Sequence, residues 1–184
     1  SLTECLVFGA RAGIRAVEFS RGSSSGAEAP LLAQADEEAE RINKLRRHKR
    51  GSEKISTLRK ELNVTMEEGC GVYREQASMQ ATVATVGSLR ERTADVRVED
   101  DSVVFNTELI AALELANLMD VGETVAVSAL NRKESRGAHT RKDFTTRDDQ
   151  NYLHHSLCYF ESDGPRIDKK AVTLGHWEPE ERKY

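Results

Sequence analysis

Apolar side chains recur at three- and four-residue steps through residues 52–131, and this spacing constrains the fold more than any other feature. Such a period places the apolar residues along one side of an α-helix. One apolar stripe begins with Ile55, a second with Met79 and a third with Leu109. Short turn-forming groups separate the stripes, so the sequence predicts a bundle of three long helices.

Capping residues and glycines predict where these helices begin and end. Gly69 and Gly71 are expected to interrupt the first helix after Met66. Phe105 and Ile110 are spaced to form a hydrophobic staple across the start of the third helix. Ser52 and Asn106 are expected to begin helices. The pair Asp120 and Glu123 predicts the start of an additional short helix. The expected buried face of the third helix consists of Leu109, Ala112, Leu113, Ala116 and Met119.

Composition agrees with a mainly helical protein. The 184 residues are 38% hydrophobic, 5% aromatic and 32% charged, which suits helices that bury one stripe and expose long charged side chains. The net charge of −4 argues against a general nucleic-acid partner. The basic run 46–50 follows the acidic residues 36–40, so we interpret it as the solvated end of a helix.

Cysteine usage and hydropathy bound the compartment. The three cysteines (Cys5, Cys70 and Cys158) are odd in number and widely spaced, which favours a reducing compartment over a disulfide framework. No apolar run approaches the roughly 18–20 residues that span a bilayer. The first residues also lack the basic and apolar regions of a signal peptide.

A helix is predicted from about Leu2 to Phe19, with Ser1 and Glu4 placed to form a capping box. Because the chain begins on this cap, we expect it to be a piece of a larger protein. Small residues, including Gly9 and Gly13, line one face and favour close packing against another element. Residues 21–35 are predicted to be a linker from their glycine, serine and proline content.

The segment Glu134–Asp149, here called the charged segment, carries four cationic and four anionic side chains. Exposed ion pairs contribute only about 0–1 kcal/mol each, so this density favours a segment held in one shape between two bodies. His139 lies among arginines and could act as a general acid or base, although a hydrogen-bonded, ordering role is favoured. The predicted docking residues are Arg136, His139, Arg141 and Asp143.

After the charged segment, the pattern changes to that of a small hairpin. Residues 156–160 and 171–174 are predicted to be strands, with a turn at Asp163 and Gly164. His154, His155 and Cys158 are weak zinc candidates, because His155 and Cys158 fall on opposite faces of a strand. Cys70 has no nearby histidine to activate it, which disfavours a nucleophilic role. No glycine-rich nucleotide loop is visible, and the residues alone indicate no active site.

Motifs at both ends and in the charged segment resemble the succinate dehydrogenase and fumarate reductase flavoprotein subunit family. The start, Ser-Leu-Thr-Glu-Cys-Leu-Val-Phe-Gly-Ala-Arg-Ala-Gly, is similar to the last flavin-domain motif of that family. Ser-Arg-Gly-Ala-His-Thr-Arg-Lys-Asp-Phe, the later Arg-Asp-Asp and Asn-Tyr-Leu-His-His-Ser-Leu resemble its C-terminal region. The ending, Glu-Pro-Glu-Glu-Arg-Lys-Tyr, is similar to the family ending Pro-Pro-x-x-Arg-x-Tyr.

The resemblance implies a mainly α fold: a three-long-helix bundle with a small C-terminal α+β extension containing the hairpin, preceded by a flavin-domain helix. The implied organisation is residues 1–20 as the last helix of an FAD-binding domain, 21–35 as linker, 36–133 as bundle, and 134–184 as charged segment, hairpin and tail. It also implies that Ser1 and Leu2 contact FAD through backbone amides, which a helix N-terminus presents. The family's catalytic residues all correspond to positions upstream of Ser1.

The implied function is succinate–fumarate oxidoreduction by a whole subunit, of which this part alone is expected to be inactive. Implied partners are the N-terminal FAD-binding portion, an iron–sulfur subunit, a dicarboxylate substrate and, indirectly, membrane anchor subunits. The implied location is peripheral, on the cytoplasmic or matrix face of an energy-transducing membrane. An L-aspartate oxidase-like flavoprotein and a stand-alone helical interaction module remain alternatives.

Overall fold

The structure is a computed structural model that describes residues 2–24, 26–161, 164–176 and 179–180. The chain divides into two compact units, residues 1–44 and 45–184. The first unit contains helix α1 (Leu2–Gly22) and most of helix α2 (Glu28–Arg47). None of the residues of α1 is buried, although the helix carries large apolar side chains such as Phe8 and Ile14.

Helix α2 begins earlier than the sequence suggests. It starts at Glu28, so residues 28–35, which were expected to belong to a linker, are helical. Pro30 does not prevent this, because it is the third residue of the helix, where backbone amides have no acceptor within the helix. The alanines, leucines and glutamates that follow are strong helix formers, and they extend the helix to the acidic residues 36–40.

The second unit is built on three long helices, which confirms the predicted fold class. These are α3 (Ile55–Cys70), α4 (Gln76–Arg92) and α5 (Thr107–Asn131). Leu58, Met79 and Met119 are fully buried among them. One core cluster fills the end of the bundle near Val98, and a second surrounds Cys70. The expected interruption is also confirmed, because α3 ends at Cys70 between the two glycines.

The predicted short helix beginning at Asp120 is wrong, because α5 continues through that position without a break. Asp120 and Glu123 bind Arg90 of α4, at 3.4 and 2.9 Å, instead of capping a new helix. Gly122 remains inside the helix where α5 approaches α3 closely: an added Cβ would lie 3.3 Å from Leu62 Cδ1.

Of the other two expected helix starts, one differs and one is confirmed. Ser52 does not cap α3; its hydroxyl donates to Asp95, and α3 begins at Ile55 without a side-chain cap. Asn106 does cap α5, accepting from the Leu109 amide at 2.7 Å. The predicted staple is wrong, because the Phe105 side chain is 93% exposed and its backbone is left-handed, with φ at +56°.

The buried faces are close to those predicted, with one notable omission. Ala112 and Met119 of α5 are buried as expected, whereas Leu113 and Ala116 are half-buried. Leu115, which the predicted face omitted, is almost fully buried in the main core cluster. Whether Leu113 or Leu115 is buried depends on the rotation of α5 against its neighbours, which the sequence does not specify.

Two small sheets complete the second unit. Strand β1 (Tyr73–Arg74) pairs in parallel with β2 (Thr140–Arg141), which attaches the charged segment to the start of α4. After the short helix α6 (Asp149–Tyr152), strand β3 (His154–Tyr159) pairs antiparallel with β4 (Arg166–Ala171).

The hairpin is confirmed, but its second strand was predicted in the wrong place. It lies at 166–171 rather than 171–174, because backbone pairing with β3 fixes the register. Four of the five exposed residues of β4 are charged, which hides the strand from an apolar pattern. Gly164 has φ at +119°, as a turn requires, whereas Asp163 lies outside the described residues. The predicted tail at 177–184 also lies outside them, except for Pro179 and Glu180.

Candidate docking and cofactor site

The charged segment folds back on the end of α5 and on β1, and its side chains pair mainly with one another. Its backbone closes a tight loop in which Arg136 and His139 exchange hydrogen bonds at 2.9 and 3.0 Å. Gly137, inside this loop, has φ at +59°, a conformation that favours glycine. The Lys142 amide then donates to the Arg74 carbonyl at 2.8 Å, which continues the pairing with β1.

Glu134 is the centre of the first half of the segment. Its carboxylate is 0% exposed and accepts hydrogen bonds from Arg132, Arg136 and the Asp148 amide. Arg136 binds it with both Nε and Nη2, at 2.8 and 3.0 Å. Burial opposes ionisation of Glu134, but its partners, Arg136 foremost, hold the pKa below the usual range. The carboxylate is therefore charged and fully occupied within the protein.

Arg136 extends this network to the end of the segment. Its Nη2 lies 2.5 Å from Asp149 Oδ1, while Arg147 binds the other oxygen of Asp149 at 2.8 Å. The hydrogen bond from Arg136 is the largest cause of the lowered pKa of Asp149. Arg147 also donates to the Glu180 carbonyl at 2.6 Å, so this end of the segment contacts the tail.

Arg141 is the centre of the second half and is 0% exposed. Its Nε and Nη2 donate to the two oxygens of Asp143 at 2.7 and 2.6 Å. Its Nη1 faces carbonyl oxygens at the end of α5, including Arg132 O at 3.2 Å, and its guanidinium lies 4.9 Å from the Phe144 ring centre. The hydrogen bond from Arg141 lowers the pKa of Asp143 to about 2. Arg141 therefore stabilises the segment from within and is enclosed by it.

His139 joins three parts of the second unit. Arg74 Nη1 lies 3.0 Å from Nδ1, and because arginine only donates, Nδ1 must accept. Nε2 then carries the proton and donates to the Arg132 carbonyl at 3.1 Å. Burial lowers the pKa of His139, and the charges of Arg74, Arg141 and Arg132 add to this. Both ring nitrogens therefore have hydrogen-bond partners. This is what we expect of a histidine that orders the segment, the role that the sequence favoured.

Arg132 and Arg74 belong to the same network, and sequence reasoning missed both. Arg132 Nη2 donates to the His154 carbonyl at 2.6 Å, which connects α5, Glu134 and the hairpin. Arg74 lies 65 residues before its partner His139. Arg132 directly follows α5 and Arg74 lies two residues before α4, but neither position identifies a distant partner.

Only part of the predicted cofactor-binding pair can be placed. Ser1 lies outside the described residues, and Leu2 is the first residue of α1, where its side chain is 83% exposed. The first backbone amides of a 21-residue helix have no carbonyl acceptor within that helix. They suit the electron-rich edge of a flavin, and to this limited extent the residues present fit FAD.

Groups considered for metal or nucleophilic chemistry do not form a site among the described residues. In that part of the chain, no three His, Cys, Asp or Glu side chains are arranged to hold a metal ion. Cys70 is buried, which raises the pKa of its thiol. No described helix is long and apolar enough to cross a membrane.

Comparison with known proteins gives one consistent result. Residues 59–184 match the family model described as the fumarate reductase flavoprotein C-terminal region. The fumarate reductase flavoprotein subunit of Haemophilus influenzae is 42% identical over all of this chain, and the succinate dehydrogenase flavoprotein subunit of Rickettsia bellii is 34% identical over 95% of it. The chain spans 31% and 29% of their respective lengths.

A solved structure shows the same relationship in three dimensions. The chain resembles a subunit of Escherichia coli quinol fumarate reductase with a TM-score of 0.92 at 40% identity, covering 98% of this chain and 31% of that chain. Sequence and fold therefore agree over nearly the whole length. The chain belongs to the fumarate reductase and succinate dehydrogenase flavoprotein subunit family, of which it represents the C-terminal part.

Proposed function

We propose that this chain is the C-terminal part of a flavoprotein oxidoreductase subunit that interconverts succinate and fumarate. The observation that carries the proposal is 42% identity with a fumarate reductase flavoprotein subunit across all 184 residues. Because the chain spans only 31% of that relative, the reaction belongs to the whole subunit. We expect these residues alone to be inactive, since the described side chains form a closed network and no reactive centre.

The first proposed role is to contact FAD at the start of α1. Ser1 and Leu2 stand where the family motif places backbone contacts to the flavin ring, and Leu2 begins a helix whose first amides have no acceptor within the helix. Bound FAD would accept electrons from succinate or deliver them to fumarate. The positive end of the helix dipole would favour the reduced, more negative flavin. The apolar side chains of α1 are exposed, which supports packing against the flavin-binding portion.

The second proposed role is docking through the bundle and the charged segment. Arg136, His139, Arg141 and Asp143 are proposed to shape a surface for the flavin-binding portion and an iron–sulfur subunit. Arg141 would act from within, because it is enclosed, whereas Arg136 and Asp143 are partly exposed. Fixing the segment by internal ion pairs lowers the entropy lost on association.

The proposed partners follow from this arrangement. Electrons would pass between FAD and the iron–sulfur subunit, and membrane anchor subunits would be contacted only indirectly. The subunit would lie peripherally, on the cytoplasmic or matrix face of an energy-transducing membrane. A relative of known structure is a quinol fumarate reductase, which supports this assembly.

Leu2→Pro in the intact flavoprotein subunit tests the proposed FAD contact. Proline is tolerated at the first position of a helix but lacks an N–H, so this change removes one amide with little effect on α1. Leu2→Ala is the matched control, because it shortens the side chain and keeps the amide. We expect weaker flavin retention and slower fumarate-dependent oxidation of a reduced dye for Leu2→Pro than for Leu2→Ala. Equal flavin retention by the two variants would contradict the contact, and a wild-type subunit without flavin would contradict the proposed function.

A further inference from the structure

The ring of His139 connects the charged segment to β1 and to the end of α5. Arg74 Nη1 donates to Nδ1 at 3.0 Å, and Nε2 donates to the carbonyl of Arg132 at 3.1 Å. The first contact requires a neutral ring, because arginine only donates and Nδ1 must keep its lone pair. A proton on Nδ1 would place two donors opposite each other and break this contact.

The charges around the ring also oppose its protonation. Three guanidinium groups face His139 from the elements packed against it, namely Arg74 of β1, Arg141 of β2 and Arg132 at the end of α5. Two acids of the segment, Glu134 and Asp143, are already paired with arginines of the same network. A charged imidazole would therefore lie among cations whose carboxylate partners are in use.

Two histidines of this network change charge in mildly acidic solution, whereas its carboxylates do not. The pKa of Asp143 is about 2 and that of Glu134 is below its usual range, so both carboxylates stay ionised. Burial and the neighbouring arginines lower the pKa of His139. The pKa of His154, on β3, is lowered by burial and by the charges of Arg132 and Lys169. A test of His139 must therefore separate it from His154.

The contact between His139 and Arg74 lies where the segment joins the bundle. Strands β1 and β2 have only two residues each, and the Lys142 amide donates to the Arg74 carbonyl at 2.8 Å. With so short a pairing, the side-chain contact is a substantial part of the attachment. Arg74 Nε also donates to the Gly71 carbonyl at 2.9 Å, so Arg74 keeps a partner when His139 leaves it.

We propose that His139 and Arg74 form an acid-sensitive latch: protonation of His139 breaks their contact and releases the charged segment from β1. The open segment exposes the ring to water, where it binds a proton more strongly than inside the network. Acid therefore favours the open form. All of the contacts lie within this chain, so the latch does not depend on the proposed partners. It would make the arrangement of the proposed docking residues sensitive to pH.

Amide hydrogen exchange in the intact native polypeptide, measured by mass spectrometry and corrected for the intrinsic effect of pH, tests the latch. Protection of the Lys142 amide should fall at least about threefold from about pH 7.5 to about pH 5.5, since one pKa unit is a factor of ten. It should stay constant in His139→Gln, which keeps an acceptor for Arg74 and a donor for the Arg132 carbonyl but does not titrate. His154→Gln is the matched control and should retain the wild-type fall.

The Met119 amide separates opening of the segment from unfolding of the second unit. Met119 is fully buried in the middle of α5, so its amide should exchange at least about tenfold more slowly than that of Lys142 at both pH values. Equal protection of the two amides would overturn the latch, because the segment would then open only when the bundle unfolds.

The remaining outcomes are equally decisive. Constant protection of Lys142 in the wild type, a fall that persists in His139→Gln, or a fall that disappears in His154→Gln would each overturn the latch. Where His139→Gln does not fold, Arg74→Met takes its place, because it removes the donor opposite Nδ1. The fall should then be smaller than in the wild type, and an undiminished fall would contradict the proposal.

Discussion

Arg141 and Asp143 form a two-pronged ion pair: Nε and Nη2 of the arginine donate to separate carboxylate oxygens at 2.7 and 2.6 Å. The pair lies at the start of α4, where Asp143 Oδ2 also accepts from the Gln76 amide at 2.9 Å. The charged segment thereby supplies the cap that α4 lacks in its own sequence, since Glu75 makes no side-chain cap. The segment and the bundle consequently form one folded structure.

Arg141→Lys should destabilise the second unit by about 2–4 kcal/mol. Lysine keeps the charge but cannot make the paired hydrogen bonds, and it leaves carbonyl acceptors unpaired at the end of α5. Arg166→Lys is the matched control, because Arg166 also forms carboxylate ion pairs, with Glu161 and Asp168, but is exposed on the hairpin. Arg166→Lys should lower the free energy of unfolding by less than about 1 kcal/mol. Denaturant unfolding of both variants checks the difference, and equal losses would show that enclosure of Arg141 is unimportant.

Glu134→Gln should cost about 3–5 kcal/mol, because it removes the only buried carboxylate shared by Arg132 and Arg136 in the described structure. Glu114→Gln breaks an exposed pair with Arg59 and should cost about 0–1 kcal/mol. Thermal or urea unfolding measures both variants. If Glu134→Gln behaved like the Glu114 control, the network would not hold the segment in place.

The His139 contacts predict a dependence of stability on pH. The folded-state pKa lies below the ordinary value of 6.5, so the unfolded chain binds the proton more strongly. The stabilising contribution is complete above pH 6.5 and decreases as the pH falls toward the folded pKa. Urea unfolding at several pH values should show this slope for the wild type. The dependence of stability on pH should be weaker for His139→Gln. Part of the dependence that remains should arise from His154, whose pKa is also lowered. An identical slope in the variant would assign the effect to other groups.

Gly69→Ala tests how closely α3 and α4 approach. An added Cβ would overlap Thr82 Oγ1 and lie 3.0 Å from the Ser78 carbonyl. We expect destabilisation of about 1–3 kcal/mol from overpacking. Thr82→Ala removes the overlapping hydroxyl, so the double variant should recover part of the loss. A double-mutant cycle by thermal unfolding checks this, and strictly additive losses would rule out the contact as the cause.

The sequence predicted the helices well because their apolar spacing is a local property. Met79, Leu89 and Met119 all lie in the buried stripes inferred from that spacing. The prediction from sequence failed for Asp120 and Glu123. Their capping pattern is local, but their ionic partner, Arg90, is on another helix. A pattern that satisfies a local rule can therefore be used for a tertiary contact.

The candidate site was predicted in composition but not in geometry. The dense charges of Glu134–Asp149 identified the segment, and the preference for an ordering His139 agrees with its two hydrogen bonds. The sequence did not reveal that Arg141 would be enclosed, because burial of a charged side chain depends on carbonyls at the end of α5. Arg74 contacts His139, which lies 65 residues later in the chain, and no local sequence pattern predicts a contact over that distance.

We propose that these residues function as part of a larger flavoprotein. The most direct measurement is isolation of the native polypeptide that contains them, with its mass, peptide sequence and flavin absorbance determined on the same material. We expect a polypeptide longer than these 184 residues that carries flavin and reduces fumarate. A native polypeptide limited to these residues, without flavin in itself or in a companion chain, would contradict it.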